Sequence, residues 1–409
     1  MKKFVMYGAG NIGRGFIGKI MSEAGYKVGF VDINPAVIGE LNTKRRYPVN
    51  IVTSEENKEV WVENVYGIDG KNEEEVSEEI ASCDAMASAV GVNVLKFIAK
   101  NVALGIQKRM ERGAKPLNII ICENLIGADA FLKELVRGYL PEEYKARLDK
   151  EVGFVEASIG RMVPAITEDK KQGENLRVYV EPYNILPVDK DAFRGEMPEC
   201  KNLYPFAPFN LFIQRKLFMH NMSHATTSYL GALYGDEYVY QSIARFDVKY
   251  VAYRALSESA NALAKENHVD ILPLFDHADN LLYRFTNTAL GDTVARVGKD
   301  TIRKLGENDR LVGALKLCKK HGVEHSYICI GIAAALLFAP EGDESSKEVK
   351  AYTEENGVKA ACAKYMNMAE DFAEEVSLIA EIYAKFKNGE SVPSVISFVE
   401  KYNNKSMKV

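Results

Sequence analysis

The sequence predicts a doubly wound α/β domain of the Rossmann type over residues 1–195, followed by an all-α domain over residues 196–409. Three observations predict this order. Strand and helix patterns alternate through the first half, which is typical of a sheet with helices on both faces. A glycine-rich turn follows the first predicted strand. Beyond the Pro-, Cys- and Asn-rich stretch at 197–208, the periodicity is almost entirely helical.

Short apolar runs bounded by turn residues predict the strands of the first domain. They lie at 4–7, 27–31, 48–52, 60–66, 84–90, 117–122, 152–155 and 177–180. The alternation in 48–52 and 60–66 favours a hairpin, and the apolar run 117–122 is expected of a strand buried on both faces. The periodicity of 12–24 and 94–112 predicts helices. The second domain has helical patterns at 210–233, 236–266, 275–287, 308–321, 327–338, within 345–387, and at 393–402.

Composition excludes several classes of protein. The chain has 409 residues, of which 47% are hydrophobic and 27% charged, so it is neither disordered nor collagen-like. A net charge of −5 gives no general electrostatic reason to bind nucleic acid or an anionic membrane. The longest apolar run, Tyr327 to Ala339, is shorter than the ~20 residues that span a bilayer and predicts a buried helix. Six scattered cysteines and the absence of a signal peptide pattern predict a cytoplasmic protein with reduced thiols.

The turn GAGNIG, from Gly8 to Gly13, is a dinucleotide fingerprint in the expected context, after a strand and before a helix. Gly8 allows the tight turn, Gly10 lets the backbone approach a pyrophosphate, and Gly13 lets the helix pack on the strand. The helix start then offers unpaired N–H groups to the phosphates. The predicted cofactor-binding residues are Gly8, Gly10, Asn11, Ile12, Gly13 and Asp32.

The second strand ends at Asp32, 19 residues after Gly13, and this acid predicts the kind of cofactor. Its carboxylate can accept hydrogen bonds from the adenosine ribose and would repel a 2′-phosphate. Ile33 and Asn34 follow it and supply no arginine. The pattern therefore favours NAD over NADP. FAD-binding proteins share the fingerprint, and some glycine-rich turns hold no ligand, so these alternatives stay open.

The segment from Lys216 to His224 carries the catalytic candidates. Zinc is not predicted, because the cysteines and histidines form no ligand cluster. At about 100° per residue, Asn221 and His224 lie within about 140° of Lys216 around a helix, so all three can face one pocket. Lysine can act as a general base when a partly apolar site lowers its pKa, while Asn and imidazole N–H groups can hold a developing alkoxide. From spacing alone, a surface stripe is the commoner explanation.

Two long motifs resemble the polyol-specific long-chain dehydrogenase family. YGAGNIGRGFIG, from Tyr7 to Gly18, is similar to the start of its mannitol-1-phosphate 5-dehydrogenase branch. RKLFMHNMSHATTSYLG, from Arg215 to Gly231, contains the family signature Lys-x4-Asn-x2-His. Shorter matches are CEN at 122–124, RMVP at 161–164, RVG at 296–298, RKL at 303–305 and DRL at 309–311.

The resemblance implies a metal-independent oxidoreductase that uses NAD to interconvert mannitol 1-phosphate and fructose 6-phosphate. It makes Lys216 the general base and Asn221 and His224 the oxygen-binding partners. Two alternatives stay open: a relative that acts on an unphosphorylated polyol or a sugar acid, such as mannitol or a hexuronate, and a non-catalytic NAD-binding protein. The oligomeric state is not predicted.

The substrate phosphate needs convergent donors, and a basic segment supplies candidates. These are Arg296, Lys299, Arg303, Lys304 and Arg310. The alternative is a solvated basic helix end. The chain also departs from the family pattern around the substrate region. Glu156 stands where relatives have Asp or Asn, and Gly160 stands where they have Asp. Lys299 replaces an Arg, and Thr301 replaces a Pro.

Overall fold

The chain folds into two compact units, Met1–Phe212 and Ile213–Val409. The computed structural model describes residues 1–164, 168–368 and 370–406. The predicted boundary after residue 195 comes before the strand Leu203–Phe206, which pairs with Leu186–Asp189 in the first unit. The contacts therefore divide the chain later, inside the helix Asn210–Arg215.

A six-stranded parallel sheet forms the centre of the first unit and confirms the predicted fold class. The strands of the first unit, including those of two smaller sheets, are β1 (Lys3–Tyr7), β2 (Lys27–Asp32), β3 (Arg46–Val52), β4 (Asn57–Glu63), β5 (Val65–Asp69), β6 (Ala85–Ser88), β7 (Leu117–Ile121), β8 (Val152–Glu156), β9 (Val178–Val180), β10 (Leu186–Asp189) and β11 (Leu203–Phe206). The spatial order of the six-stranded sheet is β5-β2-β1-β6-β7-β8, a doubly wound arrangement. Apolar clusters cover both faces of the sheet, as its nearly continuous hydrophobic strands require.

The predicted hairpin is present, but its second strand ends earlier than expected. β3 and β4 pair antiparallel, and β9 joins β3 in a second sheet. Asn64, with φ 58°, then turns the chain, and β5 enters the main sheet beside β2. The run 60–66 therefore holds parts of two strands in two sheets. Its alternating pattern does not reveal the break, because Asn64 is a single left-handed residue.

The helices of the first unit cover the sheet. They are α1 (Lys19–Glu23), α2 (Pro35–Lys44), α3 (Glu73–Ser82), α4 (Leu95–Glu111), α5 (Ala128–Tyr139), α6 (Glu142–Glu151) and α7 (Glu168–Lys171). A π-helical turn, Gly13–Gly18, precedes α1, and a 3₁₀ turn, Val92–Val94, precedes α4. Asn34 and Asn72 cap α2 and α3 by accepting backbone N–H groups.

The second unit is helical in all its described regular elements, as predicted. The helices are α8 (Asn210–Arg215), which crosses from the first unit, α9 (Met222–Leu233), α10 (Val239–Ala244), α11 (Phe246–Asn267), α12 (Leu272–Phe285), α13 (Val294–Gly298), α14 (Thr301–Lys304), α15 (Val312–Lys320), α16 (Ser326–Ala335), α17 (Glu344–Asn356), α18 (Val358–Met366), α19 (Ala373–Lys387) and α20 (Val392–Ser406). A second π-helical turn, Lys216–Asn221, joins α8 to α9. Every residue of α16 is buried, which confirms the helix predicted from the long apolar run. Within the described residues, no helix is long and apolar enough to cross a membrane.

Candidate active site

The glycine turn lies at the carboxyl end of β1, where the strand order of the sheet reverses. Gly8 has a φ of +101°, a conformation that glycine adopts without strain. Its N–H donates to the carbonyl of Val31 at 2.8 Å, which ties the turn to β2. A Cβ on Gly13 would collide with the Gly8 carbonyl oxygen. The turn and the helix are thus close enough that only glycine fits at both positions.

Gly10 differs from its two neighbours in the motif because a Cβ there would meet no protein atom within 4 Å. Gly10 and Asn11 are exposed, and Asn11 and Ile12 are the first helical residues. An open backbone at a helix start is what a pyrophosphate needs, since unpaired N–H groups and the helix dipole both favour an anion. The residues of the turn therefore fit the phosphates of a dinucleotide.

Asp32 is linked to the glycine turn by its own side chain. Its Oδ2 accepts the N–H of Ala9 at 2.9 Å, and its Oδ1 accepts the N–H of Asn34 at 3.0 Å. A carboxylate oxygen can accept more than one hydrogen bond, so both retain capacity for ribose hydroxyls. The side chain is partly buried at the end of β2, and Ile33 beside it is 67% exposed. The geometry suits an adenosine ribose at Asp32.

Two buried charged residues shape this end of the sheet, and the sequence predicted a role for neither. Arg14 donates to the carbonyls of Ala9 and Leu176. Burial lowers the pKa of its guanidinium. Glu123 follows β7 and accepts the N–H groups of Val90 and Gly91 at 2.9 and 2.8 Å. Two features of the sequence could have identified these residues. Arg14 is a charged residue within a glycine-rich motif, and Glu123 is an acid directly after a predicted buried strand.

A π-helical turn interrupts the helix that carries the catalytic candidates, between α8 and α9. Lys216–Asn221 form a π-helical turn, in which the backbone hydrogen bonds join residues five apart, so that such residues lie nearly above one another. The angle of about 140° between Lys216 and Asn221 assumed α-helical geometry and is wrong for this turn, which brings the two closer to one face. Lys216, Asn221 and His224 are all partly exposed. π-Turns inside helices occur frequently at functional sites.

His224 is held between an aromatic ring and a carboxylate. Its imidazole stacks on Phe285 with ring centroids 4.7 Å apart and planes 12° from parallel. Its Nε2 lies 3.4 Å from Oδ2 of Asp292. Burial, followed by the nearby positive charges of Arg296 and Lys304, lowers the pKa of His224 to about 3. The ring is therefore neutral near pH 7 and has one N–H to donate.

The predicted phosphate residues are interleaved with acidic residues for which the sequence predicted no role. Arg296 pairs with Asp292, and its side chain is 56% exposed. Arg303 pairs with Asp300 at 2.6 Å and with Asp309 at 3.4 Å, and Arg310 pairs with Asp309 at 2.8 Å.

The two lysines of the same segment differ in burial. Lys299 is exposed. Lys304 is buried and donates to the carbonyl of Val297, and burial, then Arg310 and Arg303, lowers its pKa to about 7. The segment is therefore a network of partly neutralised cations rather than an uncompensated basic patch.

The departures from the family pattern have local physical consequences. A side chain at Gly160 would begin 3.3 Å from the ring of Tyr183, so an acid at this position would press on that ring. Glu156 ends β8 and accepts the N–H of Gly127 at 3.0 Å; burial raises its pKa to about 7. Thr301 is the buried first residue of α14, a position that also accepts proline.

Among the described residues, no group of three or more His, Cys, Asp or Glu side chains is arranged to hold a metal ion. The Lys216 helix and the basic segment lie in the second unit, and the glycine turn with Asp32 lies in the first. A dinucleotide turn on a doubly wound sheet, together with a helical unit that carries Lys, Asn and His, defines the class of two-unit dehydrogenases with a nicotinamide cofactor.

Comparison with known proteins identifies the family. Residues 2–202 match the model of the mannitol dehydrogenase Rossmann domain, and residues 209–393 match that of the mannitol dehydrogenase C-terminal domain. The chain belongs to the mannitol dehydrogenase family. The resemblance seen in the two long motifs is thereby confirmed.

Two curated relatives resemble the chain over most of its length, and both are named mannitol-1-phosphate 5-dehydrogenase. The protein from Shouchella clausii (strain KSM-K16) is 37% identical over 384 residues, which cover 94% of this chain and 100% of that protein. The protein from Brevibacillus brevis (strain 47) is 37% identical over 353 residues, which cover 86% of this chain and 90% of that protein.

Solved structures with low sequence identity show the same fold. D-sorbitol dehydrogenase in substrate-free form has a TM-score of 0.80 at 16% identity, with 96% of this chain and 94% of that chain covered. The ternary complex of Pseudomonas fluorescens mannitol 2-dehydrogenase with NAD and D-mannitol has a TM-score of 0.74 at 14% identity, with 98% and 94% covered. At these identities the likeness concerns the fold alone.

Proposed function

We propose that the chain is an NAD-dependent mannitol-1-phosphate 5-dehydrogenase, which interconverts mannitol 1-phosphate and fructose 6-phosphate. The observation that carries the proposal is the Lys216, Asn221 and His224 set on a π-turned helix, in a chain 37% identical over 384 residues to a relative of that name. Family membership supports a polyol or its phosphate as substrate, and the two named relatives support the phosphorylated form.

The first unit of this chain binds and orients the cofactor. The exposed backbone at Gly10 and Asn11 receives the pyrophosphate, and Asp32 accepts the ribose hydroxyls. The charge of Asp32 and the lack of a nearby arginine after it select NAD. When bound, NAD⁺ supplies the hydride acceptor for alcohol oxidation.

The second unit moves the proton. In the oxidation direction Lys216, as the free amine, accepts the hydroxyl proton at Nζ while the carbinol hydrogen leaves as hydride and the carbon becomes a ketone. Asn221 and His224 hold the reacting oxygen as its charge changes. In ketone reduction the same ammonium returns the proton to the oxygen. No metal ion takes part in this scheme.

The substrate phosphate is received by the basic segment of 296–310. Arg296 is the best placed member, because its side chain is 56% exposed and because Asp292, with which it pairs, lies 3.4 Å from Nε2 of His224. Arg303 and Arg310 both pair with Asp309, which cannot satisfy all of their N–H donors. Each guanidinium therefore keeps N–H groups that can donate to a phosphate.

We place the enzyme in the cytoplasm, with a small-molecule substrate and neither a nucleic acid nor a membrane as partner. All six cysteines are free thiols, and five of them are buried. Free thiols are usual where the compartment is reducing. The acidic net charge of −5 gives no attraction to polyanions.

The role of Lys216 is tested by replacing it with alanine, and with arginine as a matched control that keeps a charge but cannot serve as a base near pH 7. Both variants should lose kcat by on the order of 10²- to 10⁴-fold, the usual contribution of a general acid–base group. NADH affinity should be unchanged. If Lys216→Ala retains kcat, the segment is a surface stripe and the scheme is wrong. If wild-type protein binds NADH but turns over no polyol, polyol phosphate or sugar acid, the chain is a non-catalytic NAD-binding protein.

A further inference from the structure

Asp292 lies between a side chain of the proposed oxygen site and one of the proposed phosphate site. Its Oδ2 is 3.4 Å from Nε2 of His224, and its Oδ1 pairs with Arg296, four residues later. The Asp292 side chain is only 12% exposed. One largely buried carboxylate therefore contacts both groups, and the sequence predicted no role for it.

The backbone holds Asp292 in place. Its carbonyl accepts the N–H of Val239 at 2.9 Å, and the N–H of Val294 donates to the carbonyl of Glu237 at 2.9 Å. Thr293, between these two bonds, caps α13 by accepting the N–H of Arg296 at 3.2 Å. The backbone before α13 is thus fixed on both sides of Asp292, and the ion pair with Arg296 restrains the carboxylate itself.

We infer that Asp292 is a positioning residue, which fixes the imidazole of His224 in its Nε2–H tautomer and joins it to Arg296. This inference rests on the proposed role of His224 in holding the reacting oxygen. A carboxylate can only accept, so the nitrogen that faces it carries the proton. Phe285 fixes the plane of the ring from one face, and Asp292 fixes its rotation within that plane.

The tautomer has a chemical consequence. His224 is neutral near pH 7, because burial lowers its pKa to about 3. A neutral ring with its N–H directed at Asp292 offers Nδ1 as an acceptor. Of the two predicted oxygen-binding side chains, Asn221 then supplies the N–H donor for the reacting oxygen, whose proton passes to Lys216. Nδ1 of His224 can accept a hydrogen bond from a hydroxyl group of the substrate. Arg296 offsets the charge of Asp292, so the carboxylate is paired before substrate arrives.

Kinetics of Asp292→Asn test the inference, since asparagine keeps the size of the side chain and removes its charge. We expect kcat to fall about tenfold or more, within the range of coupling between contacting residues, with NADH affinity unchanged. Asp236→Asn is the matched control. Asp236 is 7% exposed and pairs with Arg245, outside the proposed site, so its replacement should leave kcat unchanged.

A double-mutant cycle separates positioning from general stability. In a His224→Ala background, Asp292→Asn should cause no further loss of kcat, because the group it positions is gone. An equal loss in both backgrounds would mean that Asp292 acts only on the fold. Wild-type kcat in Asp292→Asn would also overturn the inference. By contrast, wild-type kcat in His224→Ala alone would contradict the proposed function instead.

The ¹⁵N chemical shifts of the imidazoles give a readout that does not depend on activity. The protein has six histidines, so the His224 signals can be assigned by their loss in His224→Gln. We expect a neutral ring protonated at Nε2 in the wild type and a mixture of tautomers in Asp292→Asn. A wild-type ring protonated at Nδ1 would show that Asp292 does not set the tautomer.

Discussion

The carboxylate of Asp32 accepts the backbone N–H of Ala9 at 2.9 Å, so the residue expected to recognise the ribose also braces the glycine turn expected to hold the phosphates. Gly8 is tied to the same strand end through the Val31 carbonyl at 2.8 Å. Position 32 therefore has two separable properties, a hydrogen-bond acceptor for the turn and a negative charge for cofactor choice.

Asp32→Asn and Asp32→Ala separate these properties. The wild type should prefer NADH to NADPH, because a carboxylate near a 2′-phosphate is repulsive. Asp32→Asn should narrow the preference by about tenfold, equivalent to about 1.4 kcal/mol, while it keeps the acceptor for Ala9. Asp32→Ala should narrow the preference for NADH by a similar factor. It should also weaken NADH binding, since the glycine turn loses the hydrogen bond between Ala9 and Asp32. Steady-state kinetics with both cofactors measure this, and equal wild-type use of NADH and NADPH would contradict the assignment.

Alanine at Gly10 and at Gly13 should have different effects. A Cβ at Gly10 meets no protein atom within 4 Å, so Gly10→Ala should fold with an unchanged Tm and lose NADH affinity by tenfold or more. A Cβ at Gly13 collides with the Gly8 carbonyl, so Gly13→Ala should also lower the stability, by about 1–3 kcal/mol, as overpacking does. Thermal unfolding and NADH titration distinguish the two. Unchanged NADH binding by Gly10→Ala would place the pyrophosphate elsewhere.

Glu156 should make stability depend on pH near neutrality. Burial, with smaller contributions from Asp129 and Asp189, raises its pKa from 4.5 to about 7, against the opposing hydrogen bond from Gly127. The neutral acid is therefore the form the fold prefers. Its stability contribution is complete below about pH 4.5 and is lost as pH rises through about 7.

Glu156→Gln keeps the acceptor for Gly127 and cannot ionise. It should stabilise the protein by about 1 kcal/mol at about pH 8 and have little effect at about pH 4.5. The expected gain is small because Glu156 is partly exposed and solvent screens its charge. Denaturant unfolding at the two pH values measures the difference. Glu142→Gln, at a side chain that is 89% exposed and pairs with Lys145, is the control and should stabilise the protein at neither pH. A gain that is equal at both pH values would rule out ionisation as its cause.

Arg303→Ala should raise KM for fructose 6-phosphate by tenfold or more and leave KM for fructose nearly unchanged, because only the phosphate loses a charge-assisted contact. Arg303 also pairs with Asp300 and Asp309, so the matched control is Lys316→Ala, which removes a surface cation paired with Glu307. Parallel losses for both substrates would mean that Arg303 serves the fold and not the phosphate.

The sequence predicted most of the fold, because its signals were local. Glycine-bounded apolar runs located the strands of the main sheet, with β5 the exception, and the long run at 327–339 located the buried helix α16. The break at Asn64 and the short strands β10 and β11 were missed. A parallel pairing of only four residues in each strand leaves no periodic pattern in either segment.

For the site, the sequence identified candidate residues but not their partners. The π-turn at Lys216–Asn221 changes which residues share a face, and no residue type specifies it. The pairing of Asp292 with His224 joins positions 68 apart in sequence, so spacing could not reveal it. Only the i,i+4 relation of Asp292 to Arg296 was visible, as an ordinary helical ion pair.

The most direct test of the proposed function compares fructose 6-phosphate with fructose as substrates for NADH oxidation by the wild-type enzyme. A phosphate held by even one charge-assisted contact of about 1.5–3 kcal/mol should raise kcat/KM by about ten- to a hundredfold, and several contacts should raise it further. We expect a kcat/KM ratio of at least a hundred in favour of fructose 6-phosphate. Equal kcat/KM for the two sugars would contradict it, and the substrate would then be an unphosphorylated polyol or a sugar acid.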